Sequence, residues 1–130
     1  MEQKLYVLLI EDDVALYEVW GAILRVFGDN EICWVTNARA AKAQWRLGNH
    51  KFDLVVSDIF VSGGETGIEL WRQFRDKGMP FVFTSIIAES KFRQLFNWEA
   101  SVPPFLPKPV NPEAARDVLA NLLKGRGFLA

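Results

Sequence analysis

The sequence predicts one α/β domain, a doubly wound parallel sheet whose five strands alternate with five helices. Two observations predict it. Short apolar runs, too brief for helices and rich in β-branched or aromatic residues, recur along the chain, and helical stretches with apolar residues on one face separate them. A third observation concerns chemistry: several of these runs stop on an acid or a hydroxyl rather than on a turn residue. The length of 130 residues suits a single domain with a real core, and the apolar share of 50% with 24% charged residues is ordinary globular usage.

In chain order, Leu5-Tyr6-Val7-Leu8-Leu9-Ile10 reads as a strand buried on both faces, interrupted by Glu11-Asp12-Asp13. Leu16, Trp20, Ile23, Leu24 and Phe27 then share one helical face, and Gly28 stops that helix. Glu31 to Thr36 is the second strand. Asn37 caps a helix that runs to about Leu47 and ends at Gly48-Asn49. Phe52 to Ser57 is the third strand, whose apolar run Leu54-Val55-Val56-Ser57 leads onto Asp58 and a glycine-bearing loop. Gly67 to about Lys77 is helical, with Ile68, Trp71 and Phe74 inward and Gly78 closing it.

Pro80 opens the fourth strand, Phe81 to Ser85, and a helix from about Glu89 to Trp98 follows. Val102 to Pro107 is a proline-rich strand that belongs at a sheet edge, because proline cannot donate to a ladder. The last helix starts at Pro112 after Asn111 and runs to about Lys124, with Val118, Leu119 and Leu122 inward. Alternation with short loops implies parallel strands joined by right-handed crossovers. Periodicity leaves the strand order open.

Bulk charge excludes little but points away from general polyanion binding: 15 basic residues face 16 acidic ones, a formal charge of −1. Arg39, Lys42 and Arg46 read as a solvated helix face. The single cysteine, Cys33, allows no internal disulfide and reads as a small core residue. Six apolar residues between Lys4 and Glu11 make neither a signal peptide nor a membrane span, so a soluble cytoplasmic protein is expected.

In a parallel sheet the strand ends share one rim, so Glu11-Asp12-Asp13, Asp58, Thr84-Ser85 and Lys108 should converge there. Each has a plain structural use: acids cap helices, hydroxyls end strands, and a lysine before proline sits at a surface bend. Their combination is more specific, since a helix cap does not require a lysine two strands away. Crowded carboxylates call for a cation, and a few hard oxygen ligands with room for phosphate suit Mg²⁺. One carboxylate could then attack a phosphoryl group, with lysine and metal stabilising the transferring oxygens.

The sequence resembles the receiver domain of bacterial two-component response regulators over residues 1–124, leaving 125–130 as a tail. The resemblance is carried by Leu9-Ile10-Glu11-Asp12-Asp13, Val55-Val56-Ser57-Asp58, Gly67-Ile68-Glu69-Leu70, Pro80-Phe81-Val82-Phe83-Thr84-Ser85 and Phe105-Leu106-Pro107-Lys108-Pro109. It implies a flavodoxin-like sheet of order 2-1-3-4-5. It further implies that Asp58 is the phosphoacceptor, and that Glu11, Asp12, Asp58 and the Phe60 backbone carbonyl hold Mg²⁺. Lys108 would bind the phosphate, Ser85 and Phe105 would be the switch residues, and the Lys108-Pro109 bond would be cis. The implied partners are a sensor histidine kinase or histidine phosphotransfer protein and a downstream protein target, with no nucleic acid or membrane, the chain being a monomer or weak dimer. Catalysis would be limited to its own phosphoryl transfer and slow autodephosphorylation, so the protein is not expected to be an enzyme.

Departures from the family pattern sharpen these expectations. The loop after Asp58 is one residue longer than the commonest form, Ser62 stands where proline is frequent, and Ile86 replaces a small residue. Phe60 and Ile87 are apolar at positions that govern water access, which implies a slowly hydrolysing phosphoryl group. His50 reads as structural, so the phosphodonor must come from a partner. Trp20, Trp34, Trp45, Trp71 and Trp98 read as packing residues, and Phe92, Leu95, Phe96 and Trp98 as core or a docking stripe. Three other readings stay open: a module excised from a hybrid histidine kinase or larger regulator, a phosphate-independent interaction module, and a Mg²⁺-dependent phosphohydrolase. The last lacks the second acid that such enzymes carry where Phe60 stands.

Overall fold

The computed structural model describes residues 4–47, 51–62, 66–75, 78–96 and 101–128. The expectations for His50, for Trp98 and for the helix ends at Lys77 and Trp98 lie outside them. Five strands form one sheet in the order β2-β1-β3-β4-β5, every adjacent pair parallel. They are β1 (Leu5–Ile10), β2 (Asn30–Val35), β3 (Leu54–Asp58), β4 (Phe81–Ser85) and β5 (Phe105–Pro107). The helices are α1 (Val14–Leu24), α2 (Ala38–Leu47), α3 (Gly67–Phe74), α4 (Glu89–Leu95) and α5 (Pro112–Leu122).

Side chains alternate across a strand, and the central strands are apolar on both sides, so each face needs its own cover. Leu8, Ile10, Val55, Phe81 and Phe83 meet α2, α3 and α4, while Val7, Leu9, Leu54, Val56 and Val82 meet α1 and α5. The first side is aromatic. Phe83 lies 4.9 Å from Phe81, 5.8 Å from Phe92 and 5.7 Å from Phe96, centroid to centroid. Phe92 and Phe96 are thus core residues of that side, and among the described residues of the expected stripe only Leu95 is exposed. Cys33 is half-buried, packed against the same cluster, and burial raises its thiol pKa.

Helix starts follow local chemistry. Asp13, Thr66 and Asn111 each accept a backbone N–H of the first turn of α1, α3 and α5, and the Asn37 side chain accepts from Ala40 N–H at 2.8 Å in α2. α1 gives way to a 3-10 turn at Arg25–Phe27 that ends on Gly28 at φ 92°. β5 is shorter than the expected 102–107 because Pro103 and Pro104 carry no N–H, and it lies at the sheet edge as expected. β3 reaches one residue further than expected and includes Asp58, which pairs in register with Thr84. Beyond α5 the chain turns, and Phe128 packs against the aliphatic side. Among the described residues no helix is long and apolar enough to cross a membrane.

Candidate functional site

Because all strands run the same way, the carboxyl ends of β1, β3, β4 and β5 meet on one rim. The three acids after β1 divide their labour there. Asp13 caps α1, accepting Ala15 N–H at 2.9 Å. Glu11 is buried at 2% exposure, and its Oε2 accepts the N–H groups of Asp12 and Asp13 at 3.0 and 3.2 Å. Asp12 is exposed, and one oxygen each of Glu11, Asp12 and Asp58 lies within 4.8 Å of the other two.

Lys108 crosses to this cluster from beyond β5. Its Nζ donates to Asp58 Oδ2 at 2.8 Å and stands 2.9 Å from Glu11 Oε1. Its own N–H donates to the Ser85 carbonyl at 2.9 Å, and the Lys108-Pro109 bond is cis, as the resemblance implied. Asp58 Oδ1 accepts Phe60 N–H at 3.2 Å, which holds that backbone against the pocket. Ser85 is buried; its Oγ accepts Ile87 N–H at 3.3 Å and makes no bond to Asp58. Phe105 is half-buried and stacked on Phe92 at 4.5 Å. Phe60 and Ile86 are exposed, and Ile87 is half-buried.

The electrostatics favour a cation. Burial pushes the Glu11 carboxyl above its usual range, opposed by Lys108 and the Asp13 N–H and reinforced by the Asp58 charge. Burial works to lower the Lys108 pKa, but the hydrogen bonds and charges of Asp58 and Glu11 outweigh it and leave it raised. The geometry points the same way: three carboxylates gathered against one ammonium bind positive charge readily. The donor set fits Mg²⁺, being all hard oxygen, and the buried Glu11 Oε1 has only the Lys108 ammonium beside it, at 2.9 Å and off the ideal hydrogen-bond direction.

Two features had no signal in the pattern of residues. A Cβ added at Gly67 would meet the Asp58 carbonyl at 2.3 Å, and Gly67 N–H donates to the Ile59 carbonyl at 2.7 Å, so α3 starts directly on the end of β3. Glycine there is a requirement of close approach. The second is Trp34, whose indole N–H donates to the Glu11 carbonyl.

Residues 7–120 match the family described as the response regulator receiver domain. The chain belongs to that family. Among solved structures, this receiver is similar to a response regulator from Chloroflexus aurantiacus, at 22% identity and TM-score 0.76 over 93% of this chain and 98% of that one. It is also similar to the chemotaxis protein CheY4 of Vibrio cholerae, at 22% identity and TM-score 0.74 over 93% and 100% of the two chains. A third is the receiver domain of a Pseudomonas aeruginosa sensor histidine kinase, at 20% identity and TM-score 0.71 over 93% and 98%. That domain was solved with magnesium coordinated in its active-site cleft. No curated protein matches the sequence.

Proposed function

We propose that this receiver takes a phosphoryl group from a phosphohistidine on a partner protein onto Asp58, with Mg²⁺ in the acid pocket, and that phosphorylation alters a surface read by a downstream protein. The observation that carries this reading is the gathering of Glu11, Asp12, Asp58 and Lys108 at one rim, with Lys108 2.8 Å from the proposed acceptor oxygen's carboxylate. The magnesium-bearing receiver of the Pseudomonas kinase supports the choice of metal. Glu11, Asp12 and Asp58 would hold it, joined by the Phe60 carbonyl, and when bound it supplies positive charge to the phosphoryl oxygens.

In the transfer an Asp58 oxygen bonds to phosphorus as the phosphorus–nitrogen bond of the partner breaks, and the leaving imidazole keeps the electron pair. Phe60 N–H orients Asp58 Oδ1, and Lys108 moves its charge from Oδ2 to a phosphoryl oxygen. The Ser85 hydroxyl turns from Ile87 N–H toward the same group, and Phe105 shifts on Phe92 into the space released. The change is a shift between two populated states, biased by phosphate contacts made in only one of them. The surface that responds includes Leu95 and the polar face of α4, since Phe92 and Phe96 are spent on the core.

No further catalysis is proposed beyond this transfer and slow loss of the phosphoryl group, in a soluble protein of the cytoplasm. The test is incubation with Mg²⁺ and acetyl phosphate, followed by intact mass. The wild type gains one phosphoryl group and Asp58→Asn gains none; equal labelling of the two would remove Asp58 from the role.

A further inference from the structure

The peptide that joins Glu11 to Asp12 is held at both of its polar atoms. Its N–H donates to Glu11 Oε2 at 3.0 Å, and its carbonyl accepts the indole N–H of Trp34. Trp34 reaches it from the edge strand β2, 23 positions away in sequence. Its ring stacks on Tyr17 of α1 at 4.7 Å with 21° between the planes. The residue is 36% exposed, so its ring is not buried for packing alone, and its N–H is directed onto the acidic loop.

The consequence falls on the acids. With the Asp12 and Asp13 N–H groups both on Oε2, Oε1 is the Glu11 oxygen left facing Lys108 at 2.9 Å. Turning the Glu11-Asp12 peptide would move that carboxylate and carry Asp12 away from Asp58. We propose that Trp34 is a positioning residue of the acid pocket, its indole N–H fixing the Glu11-Asp12 peptide and thereby the pocket's affinity for a divalent cation. This rests on the reading that the pocket takes such a cation. Partners that orient metal ligands from behind commonly change affinity by tenfold or more.

The experiment titrates the full chain with Mg²⁺ and follows the indole N–H signals by NMR, the Trp34 signal being assigned in the wild type itself through its connectivity to the residue 34 backbone and its proximity to the Tyr17 ring. In the wild type that signal shifts in step with the Asp12 and Asp13 amides. Trp34→Phe keeps a ring over Tyr17 but has no donor, and its Mg²⁺ Kd rises about tenfold. Tyr17→Leu removes the stack, keeps the donor and leaves the Kd near that of the wild type. Urea midpoints of the metal-free proteins establish that each is folded, and if Trp34→Phe is not, the wild-type indole signal decides. An indole signal unmoved at saturating Mg²⁺, an unchanged Kd in Trp34→Phe, or an equal loss in Tyr17→Leu overturns the inference while leaving the proposed function standing. A wild type that binds no Mg²⁺ overturns the proposed function itself, and this inference with it.

Discussion

Asp53, just before β3, and Asp58, its last residue, are both half-buried acids next to backbone N–H groups, yet they do different work. Asp53, at the amino end, clasps Tyr6: its N–H donates to the Tyr6 carbonyl at 2.8 Å, and its Oδ2 accepts the Tyr6 N–H at 2.9 Å. Burial raises its pKa, against that hydrogen bond and the charge of Arg126. Asp58, at the carboxyl end, shares its surroundings with Glu11, Asp12 and Lys108. An acid whose neighbours are backbone holds strands together. One placed among other acids and a lysine keeps electrostatic demand unsatisfied, and that demand is what suits it to the cation and phosphoryl chemistry proposed for it.

The contrast breaks most sharply under substitution to asparagine. Asp58→Asn abolishes phosphorylation while shifting the urea midpoint little, because it removes one acid from a crowded set; Asp53→Asn stays fully phosphorylated. A reversal of that pattern in intact mass would erase the distinction. Next comes Gly67→Ala. The new methyl meets the Asp58 carbonyl, which is backbone and cannot turn aside, so a loss of about 1–3 kcal/mol is expected from urea unfolding.

Asp53→Ala leaves the Tyr6 N–H without its partner and costs about 1–3 kcal/mol, with phosphorylation unaffected. The Phe60→Asn/Ile87→Glu double variant probes the chemical end: polar groups there admit and orient water, so the phosphoryl group decays severalfold faster, and the packing lost with the half-buried Ile87 is read separately from the urea midpoint. An equal or slower decay rate would refute the idea that apolar residues protect it.

The smallest effect is on pH. The folded-state pKa of Asp53 is raised, so protonation favours the fold. Its contribution is fully present below the unfolded value of about 3.9 and is lost as pH rises through the folded one. Relative to Asp53→Asn, the wild type therefore gains stability on moving from neutral pH toward 4, and a gap between their urea midpoints that stays constant over that range would refute the assignment.

Much of the candidate site is legible before any coordinate is known. Glu11, Asp12, Asp58, Ser85 and Lys108 each end or follow an apolar run, and parallel alternation alone brings such ends to a common rim. What that pattern lacks is a way to separate Asp13, which caps α1, from its two neighbours in the same acidic trio. The cap is a matter of which oxygen reaches Ala15 N–H, and composition is silent on it.

Sequence by itself determined the alternation of strands and helices, the two-sided burial of β1, the edge position of the proline-bearing β5 and the residues available at the rim. These are local properties, set by side-chain period, by the φ limits of proline and by the donors each residue carries. Tertiary structure alone decided that Lys108 bridges Asp58 and Glu11, that Gly67 touches the Asp58 carbonyl, and that Trp34 reaches over to Glu11. The physical reason is separation along the chain. Asp58 and Lys108 lie 50 positions apart, and a 2.8 Å contact at that span depends on strand register and on how helices seat against the sheet, which no local pattern encodes.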